Sequence, residues 1–246
     1  NMSQNVLVVH GGGPTAVINA SLYGVIEEAK RNPEVGKVYG AIGGTGAIFS
    51  ETFIDLTSFN DEKLKLLLHT PASAIGSSRY PLYEKDYEKM VDIFKKHDIK
   101  YVLLNGGNGT MDACGHIYEV CKDQDIKVVG IPKTIDNDIA MTDHSPGYGS
   151  AARFIAASTQ EVGEDVKSLP IHVCIMEAMG RNAGWITAAS ALARRKQGDA
   201  PHLIYLPERN FNEDEFLEDV AALQKKQGGV VVLVSEGLHD ENGESI

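Results

Sequence analysis

Short apolar runs alternate with longer amphipathic stretches along most of this chain. Residues 6–9 form the first run, which leads through three consecutive glycines into a helical pattern between Thr15 and Lys30. Similar runs predict strands at residues 38–42, 101–104, 127–131, 171–177, 203–206 and 230–235. Periodicity alone does not separate such short runs from buried helices, but their length and flanking glycines favour strands. The alternation predicts an α/β fold with mostly parallel sheets flanked by helices.

A change in composition near the middle of the chain predicts two Rossmann-like domains. Asp143, Ser145, Pro146, Gly147 and Gly149 cluster before a long helical stretch, as is typical of a connecting segment. We therefore expect one domain at residues 1–140 and a second at residues 141–246.

Composition and charge argue against some classes of protein. Of 246 residues 43% are hydrophobic, and the formal net charge is −11. That charge argues against non-specific nucleic-acid binding, but an anionic substrate needs only a local positive potential. Cys114, Cys121 and Cys174 show no paired spacing, which favours a reducing compartment. No apolar run approaches a membrane span and no signal peptide precedes the first strand, so we expect a cytoplasmic protein that starts natively at Met2.

Glycine-rich segments follow two of the predicted strands, at the position where open α/β sheets bind ligands. One consists of Gly106, Gly107, Asn108, Gly109 and Thr110 and opens a helix. Glycines let backbone N–H groups approach a phosphate, and a helix N-terminus adds donors and a favourable dipole. An ordinary strand-to-helix turn explains this segment equally well, and the same two interpretations apply to the glycines at residues 11–13.

Residues 132–138 combine several reactive side chains at the end of another predicted strand. They include Lys133, Thr134, Asp136, Asn137 and Asp138. Phosphoryl transfer needs cations against the donor and a group that positions the attacking hydroxyl. Asp136 suits proton acceptance, Asp138 suits a Mg²⁺ ligand, and Lys133 suits neutralisation of the transferred group. A solvated turn rich in Asx residues is the alternative.

Weaker candidates for ligand contacts are Arg79, Tyr80, Met179, Gly180, Arg181 and Glu236. Arg79 and Tyr80 offer a cation and an aromatic face to a nucleotide. Arg181 suits bidentate phosphate binding, and Glu236 suits acceptance from sugar hydroxyls. Taken alone, each is explained as well by an ordinary surface residue.

Together and in this order, these segments resemble the phosphofructokinase family over residues 6–238. The combination of residues 132–138 with 179–181 is specific, whereas residues 106–110 also resemble a segment of NAD kinases and diacylglycerol kinases. The resemblance implies phosphoryl transfer to the 1-hydroxyl of fructose 6-phosphate, which gives fructose 1,6-bisphosphate in glycolysis. It also implies Mg²⁺, a donor-binding first domain, a sugar-phosphate-binding second domain, and a homodimer or homotetramer.

The resemblance further implies roles for single residues. Asp136 matches the catalytic base, and Lys133 and Asp138 match supporting catalytic groups. The donor-binding positions match Gly12, Arg79, Tyr80, Gly107, Asn108, Gly109 and Thr110. The substrate positions match Thr134, Asp136, Met179, Gly180, Arg181 and Glu236. The Mg²⁺ ligands match Asn108 and Asp138.

Three features depart from the family pattern. Asn108 stands where many members have an aspartate that binds Mg²⁺ more strongly. His172 stands where shorter bacterial members have an arginine from a neighbouring subunit, and its apolar surroundings in sequence predict a hydrogen-bonded core histidine. The chain also stops before the later sugar-phosphate segments of the family, so we expect a fragment.

Gly109 and Lys133 disagree about the phosphoryl donor. Pyrophosphate-dependent members usually have an aspartate at the position of Gly109, which repels the α-phosphate of ATP, so Gly109 favours ATP. Lys133 is typical of pyrophosphate users, although some ATP-using members combine this lysine with this glycine. We therefore expect ATP, with pyrophosphate as the alternative. A kinase of NAD or lipids and a non-catalytic nucleotide-binding regulatory chain are the competing functions.

Overall fold

The computed structural model describes residues 4–169 and 171–246, which divide into two compact units. Unit 1 ends at Lys133 and unit 2 begins at Thr134. This division falls inside the polar segment at residues 132–138, whereas the predicted domains meet at residue 140. The assignment of a donor-binding and a sugar-phosphate-binding domain stays a prediction.

Unit 1 is built around a mostly parallel sheet. Its helices and strands are, in chain order, β1 (Gln4–His10), α1 (Ala16–Arg31), β2 (Val35–Ala41), α2 (Gly46–Ser50), β3 (Phe53–Asp55), α3 (Asp61–Lys65), α4 (Glu84–Lys96), β4 (Ile99–Gly106), α5 (Asn108–Cys121) and β5 (Lys127–Pro132). Over the described residues the strand order is β3-β2-β1-β4-β5, in which β3 runs antiparallel to β2 and the other pairs are parallel. The parallel α/β architecture predicted from the sequence is therefore confirmed, while β3 was not predicted.

The central strand β1 explains why the first apolar run is continuous. Leu7 points to one core cluster with Phe94 of α4, and Val8 points to a second cluster with Leu22 of α1. Because successive side chains of a strand face opposite sides of the sheet, a strand covered on both faces needs apolar residues at nearly every position.

Unit 2 contains α6 (Tyr148–Ser168), β6 (Val173–Ala178), α7 (Trp185–Ala189), β7 (Leu203–Tyr205), α8 (Glu213–Gln227) and β8 (Val230–Ser235). The described strands form a parallel sheet of order β6-β8-β7. Central β8 packs Val231 against a cluster with Ile155 of α6, and Val232 against a cluster with Val220 of α8. None of the described helices has both the length and the apolar character to cross a membrane.

The prediction that His172 is a core histidine was wrong. His172 is exposed and lies immediately before β6, which begins at Val173. Val173 and Ile175 inside β6 are exposed as well, because β6 lies at the edge of the described sheet, so this apolar run does not mark a buried segment.

Candidate functional site

Two glycine turns of unit 1 are packed together at the carboxyl ends of β1 and β4. The N–H of Gly11 donates to the carbonyl of Asn105 at 3.0 Å. A Cβ placed on Gly11 or on Gly106 would lie 2.3 Å or 2.2 Å from Oγ1 of Thr110, so neither position accepts a side chain without displacing Thr110. Thr110, predicted to contact the donor, is 9% exposed and lies against the backbone of both turns.

The outer side of the same turns is open. A Cβ on Gly12, Gly13 or Gly109 would meet no atom within 4 Å. α5 begins at Asn108 after Gly107, which provides no side-chain cap, and Asn108 and Gly109 are exposed. The N–H groups of the first turn of a helix lack intrahelical acceptors, so this surface suits an anion that approaches the backbone.

The segment before Arg79 closes one side of the turn at residues 11–13. The N–H of Gly12 donates to the carbonyl of Ser78 at 3.2 Å, and Ser77 Oγ donates to the carbonyl of Gly12 at 2.7 Å. A cavity of about 360 Å³ lies here, lined by residues that include Gly12, Gly13 and Arg79. The structure thus brings the predicted donor residues Gly12 and Arg79 to one cavity.

Tyr80 lies on the exposed side of this segment. Its ring packs against Phe49, with ring centroids 5.9 Å apart, and 48% of the residue is exposed. The ring is therefore partly used in packing, and its other face is available to solvent.

Lys133 is held at the base of the turn at residues 11–13. Its backbone N–H donates to the carbonyl of Gly106 at 3.0 Å, and its ammonium donates to the carbonyl of Gly13. Only 5% of the residue is exposed. A buried ammonium beneath an open turn gives that turn a local positive potential in a protein whose net charge is −11.

The predicted catalytic segment continues into unit 2, where Asn137 fixes its shape. Asn137 has a φ of 55° and is 6% exposed. Its Oδ1 accepts from the N–H of Ser145 at 2.7 Å, and its Nδ2 donates to the carbonyl of Asp143 at 3.2 Å. Asparagine tolerates a left-handed backbone and supplies both a donor and an acceptor, so it holds the turn that carries Asp136 and Asp138.

The side chains on either side of Asn137 are less buried. Thr134 Oγ1 accepts from the N–H of Asp136 at 3.1 Å, and Thr134 pairs with Gly147 as an isolated bridge. Thr134, Asp136 and Asp138 are all half-buried. The carboxylates of Asp136 and Asp138 are thus presented by a hydrogen-bonded loop, which suits groups that must be positioned for chemistry.

A second loop of unit 2 brings together residues that are far apart in sequence. The N–H of Gly180 donates to Glu236 Oε1 at 2.9 Å, and Ser235 Oγ donates to the carbonyl of Gly180 at 2.7 Å. Gly180 has a φ of 115°, and a Cβ on Gly237 would lie 1.8 Å from the carbonyl oxygen of Arg181. The predicted substrate residues Gly180, Arg181 and Glu236 therefore lie around one close approach of two backbones.

This contact gives Glu236 a structural role that the sequence did not indicate. One of its carboxylate oxygens accepts from Gly180, although a carboxylate can accept several hydrogen bonds and can still bind a hydroxyl. Met179 and Arg181 are exposed beside it.

The described residues contain no group of three or more His, Cys, Asp or Glu side chains that could hold a metal ion. The predicted ligands are single oxygen donors, Asn108 of unit 1 and Asp138 of unit 2. Mg²⁺ usually takes one or two protein oxygens and completes its shell with water and substrate phosphates. Each of these residues, taken singly, therefore suits a Mg²⁺ that arrives with a phosphorylated ligand.

Sequence reasoning missed a buried polar network beneath the turn at residues 11–13. His10, at the end of β1, is 0% exposed, and its Nδ1 lies 2.7 Å from Ser73 Oγ. Burial, and then the charge of Lys133, lowers the pKa of His10 from 6.5 to about 4. The available signal was a histidine in an apolar run directly before a glycine turn.

This chain is similar to known proteins over nearly its whole length. The family model described as Phosphofructokinase matches residues 5–246. A pyrophosphate–fructose 6-phosphate 1-phosphotransferase of Rhodospirillum rubrum is 44% identical over 98% of this chain and 60% of its own length. An ATP-dependent 6-phosphofructokinase of Amycolatopsis methanolica is 30% identical over 96% of this chain and 52% of its own length.

A solved structure is also similar to this chain. The pyrophosphate-dependent phosphofructokinase of Nitrosospira multiformis is 38% identical and superposes with a TM-score of 0.90, covering 98% of this chain and 62% of that protein. This chain thus spans about three fifths of the relatives that it matches.

Proposed function

This chain belongs to the phosphofructokinase family, and from that premise we propose that it transfers a phosphoryl group from pyrophosphate to the 1-hydroxyl of fructose 6-phosphate. The observation that carries the proposal is the buried Lys133, whose ammonium binds the carbonyl of Gly13 beneath an open glycine turn. A fixed cation beside a turn that is open to solvent suits a compact, highly charged anion such as pyrophosphate.

The choice of pyrophosphate reverses the preference that Gly109 suggested. The relative named for pyrophosphate is 44% identical to this chain, against 30% for the relative named for ATP. The relatives thus do not support the preference for ATP. The space around Gly109 is open, so a glycine there admits ATP without requiring it.

In the proposed reaction the sugar hydroxyl is the nucleophile and pyrophosphate is the phosphoryl donor. The 1-hydroxyl oxygen of the sugar phosphate attacks the nearer phosphorus of pyrophosphate, the bridging P–O bond breaks, and phosphate leaves. Asp136 accepts the proton of the attacking hydroxyl, and Lys133 offsets negative charge on the donor. A Mg²⁺ bound through Asn108 or Asp138 would supply further charge compensation on the phosphate oxygens.

Four residues of unit 2 then bind the sugar phosphate in this proposal. Arg181 suits the phosphate group, Glu236 suits sugar hydroxyls, and Met179 and Gly180 complete the loop. A cytoplasmic location, a role in glycolysis and a homodimer or homotetramer stay predictions.

The experiment is a turnover assay of the purified protein with fructose 6-phosphate and Mg²⁺. Formation of fructose 1,6-bisphosphate is followed with pyrophosphate and with ATP as separate donors, and an Asp136→Asn variant serves as the control. We expect turnover with pyrophosphate that depends on fructose 6-phosphate and is lost in the variant. Turnover with ATP and none with pyrophosphate would overturn the assignment of pyrophosphate as donor. Phosphorylation of NAD instead of the sugar would overturn the proposed function.

Binding measurements separate a non-catalytic chain from an enzyme. Calorimetry with magnesium pyrophosphate, magnesium ATP and fructose 6-phosphate is run on the same protein. Binding of a nucleotide without any turnover would favour the regulatory alternative.

A further inference from the structure

The segment from residue 70 to residue 78 has no helix or strand, yet side chains from two elements of unit 1 hold it in place. From α1, Asn19 Nδ2 donates to the carbonyl of Thr70 at 2.7 Å, and Asn19 Oδ1 accepts from the N–H of Ala74 at 2.7 Å. Asn19 is 0% exposed, so its side chain is shielded from water where it makes both bonds. The start of the segment is therefore tied to α1.

His10 supplies the second attachment, deeper in the unit. Ser73 Oγ donates its only hydrogen to the carbonyl of Gly76 at 2.8 Å, so its contact with His10 Nδ1 at 2.7 Å requires the imidazole to donate. The ring therefore carries a hydrogen on Nδ1. Within the described residues, Nε2 of His10 has no hydrogen-bond partner, as expected for an unprotonated nitrogen packed in the core.

The attached segment forms one wall of the cavity of about 360 Å³ beside the turn at residues 11–13. Ser73 itself lines this cavity, and the segment leads directly into Arg79. Two further bonds, from Gly12 to Ser78 and from Ser77 to Gly12, join the wall to the turn. Movement of the segment would therefore move Arg79 and open the cavity.

We propose that His10 is a positioning residue: its Nδ1–H bond to Ser73 holds the wall at residues 70–78, and with it Arg79, against the glycine turn that receives the phosphoryl donor. This proposal rests on the proposed function only for the identity of the ligand. His10 acts through Ser73 and touches no reacting atom. Its effect is expected on donor affinity and not on the affinity for the sugar phosphate.

The test compares His10→Leu, which removes the Nδ1–H group, with His10→Asn, whose amide can place an N–H near the position of Nδ1. Ser73→Ala and the double variant His10→Leu/Ser73→Ala complete a double-mutant cycle. Ser58→Ala is the matched control, because Ser58 Oγ also donates to a backbone carbonyl of unit 1, that of Asp55 at 2.7 Å, but lies outside the cavity.

Two readouts are taken for every variant. Calorimetry measures the Kd for magnesium pyrophosphate and for fructose 6-phosphate, and hydrogen exchange measures opening of residues 70–79 and of β4. We expect His10→Leu to weaken pyrophosphate binding about 10-fold, as loss of one hydrogen bond predicts, and Ser73→Ala to weaken it at least as much because the bond to Gly76 is lost as well. His10→Asn should recover most of the loss seen in His10→Leu, and the double variant should bind like Ser73→Ala.

The expected exchange pattern is local. Amides of residues 70–79 should exchange about 10-fold faster in His10→Leu and Ser73→Ala, while those of β4 and of the Ser58→Ala control stay unchanged. Unchanged exchange at residues 70–79 would overturn the proposal, and so would faster exchange throughout unit 1, because that pattern means general loosening of the core.

Failure of the proposed function can be distinguished from failure of the role proposed for His10. If the unaltered protein binds neither pyrophosphate nor ATP, the donor assignment falls, and the exchange pattern alone decides whether His10 holds the wall. If His10→Leu does not fold, Ser73→Ala and His10→Asn still test the same bond.

Discussion

The buried imidazole of His10 predicts an acid-sensitive fold of unit 1. Its pKa is 6.5 in an unfolded chain and about 4 in the folded protein. The unfolded state therefore binds a proton first as the pH falls, so stability from neutral His10 is full above pH 6.5 and is lost as the pH drops toward 4. Linkage between these two pKa values gives a loss of about 2 kcal/mol between pH 7 and pH 5, and about 3 kcal/mol in total.

A difference measurement isolates this contribution. His10→Asn removes the titrating ring, while all other groups, including His202 with its lowered pKa, titrate in both proteins. The chain has one tryptophan, Trp185 of unit 2, so its fluorescence does not report on unit 1. Native-state hydrogen exchange of β1 and β4 amides, corrected for intrinsic exchange at each pH, gives the free energy of unfolding of unit 1.

We expect the native protein to lose about 2 kcal/mol more than His10→Asn between pH 7 and pH 5. An NMR titration of the His10 ring provides the direct check, with a midpoint near pH 4. Parallel stability curves for the two proteins, or a ring that titrates near its usual 6.5, would refute the reasoning, because either result means that burial does not keep the imidazole neutral.

Three further substitutions test other parts of the site. Asp136→Asn should lower kcat about 10²–10⁴-fold in the turnover assay and leave donor affinity nearly unchanged, and an unaltered kcat would contradict its role as the base. Gly109→Asp should weaken ATP binding at least about 10-fold by charge repulsion while pyrophosphate binding changes far less, and equal losses measured by calorimetry would contradict this. Gly237→Ala places a methyl group 1.8 Å from the carbonyl oxygen of Arg181 and should destabilise unit 2 by about 1–3 kcal/mol; an unshifted urea midpoint of Trp185 fluorescence would argue against the close approach.

The central strands β1 and β8 could be predicted because burial on both faces leaves a nearly unbroken apolar run. β8 occupies residues 230–235, as its sequence predicts, and β5 extends the predicted run by one residue to Pro132. β3 could not be predicted, since three half-buried residues at the edge of a sheet carry no measurable period. Edge strands with an apolar run, such as β5 and β6, were still predicted, so the short length of β3 and not its edge position hid it.

The candidate site was predictable where residues that act together are also close in sequence. The contact of Gly180 with Glu236 joins residues 56 positions apart, and no local pattern encodes it. Asn137 illustrates the opposite case, because its place among reactive residues suggested chemistry while its hydrogen bonds give it a structural role. Residue type alone does not distinguish a side chain that reacts from one that shapes the loop.

The charges beneath the glycine turn fit together only if His10 is neutral. Lys133 is buried and its ammonium is held by the carbonyl of Gly13, which gives the turn one fixed positive charge. A second buried cation at His10 would repel Lys133 and would have to be desolvated as well, and both effects lower the pKa of the imidazole. In the proposed function Lys133 offsets charge on the bound anion, while the neutral ring of His10 holds the wall through Ser73. This division explains how two basic residues can lie under one turn without destabilising the fold before a ligand arrives.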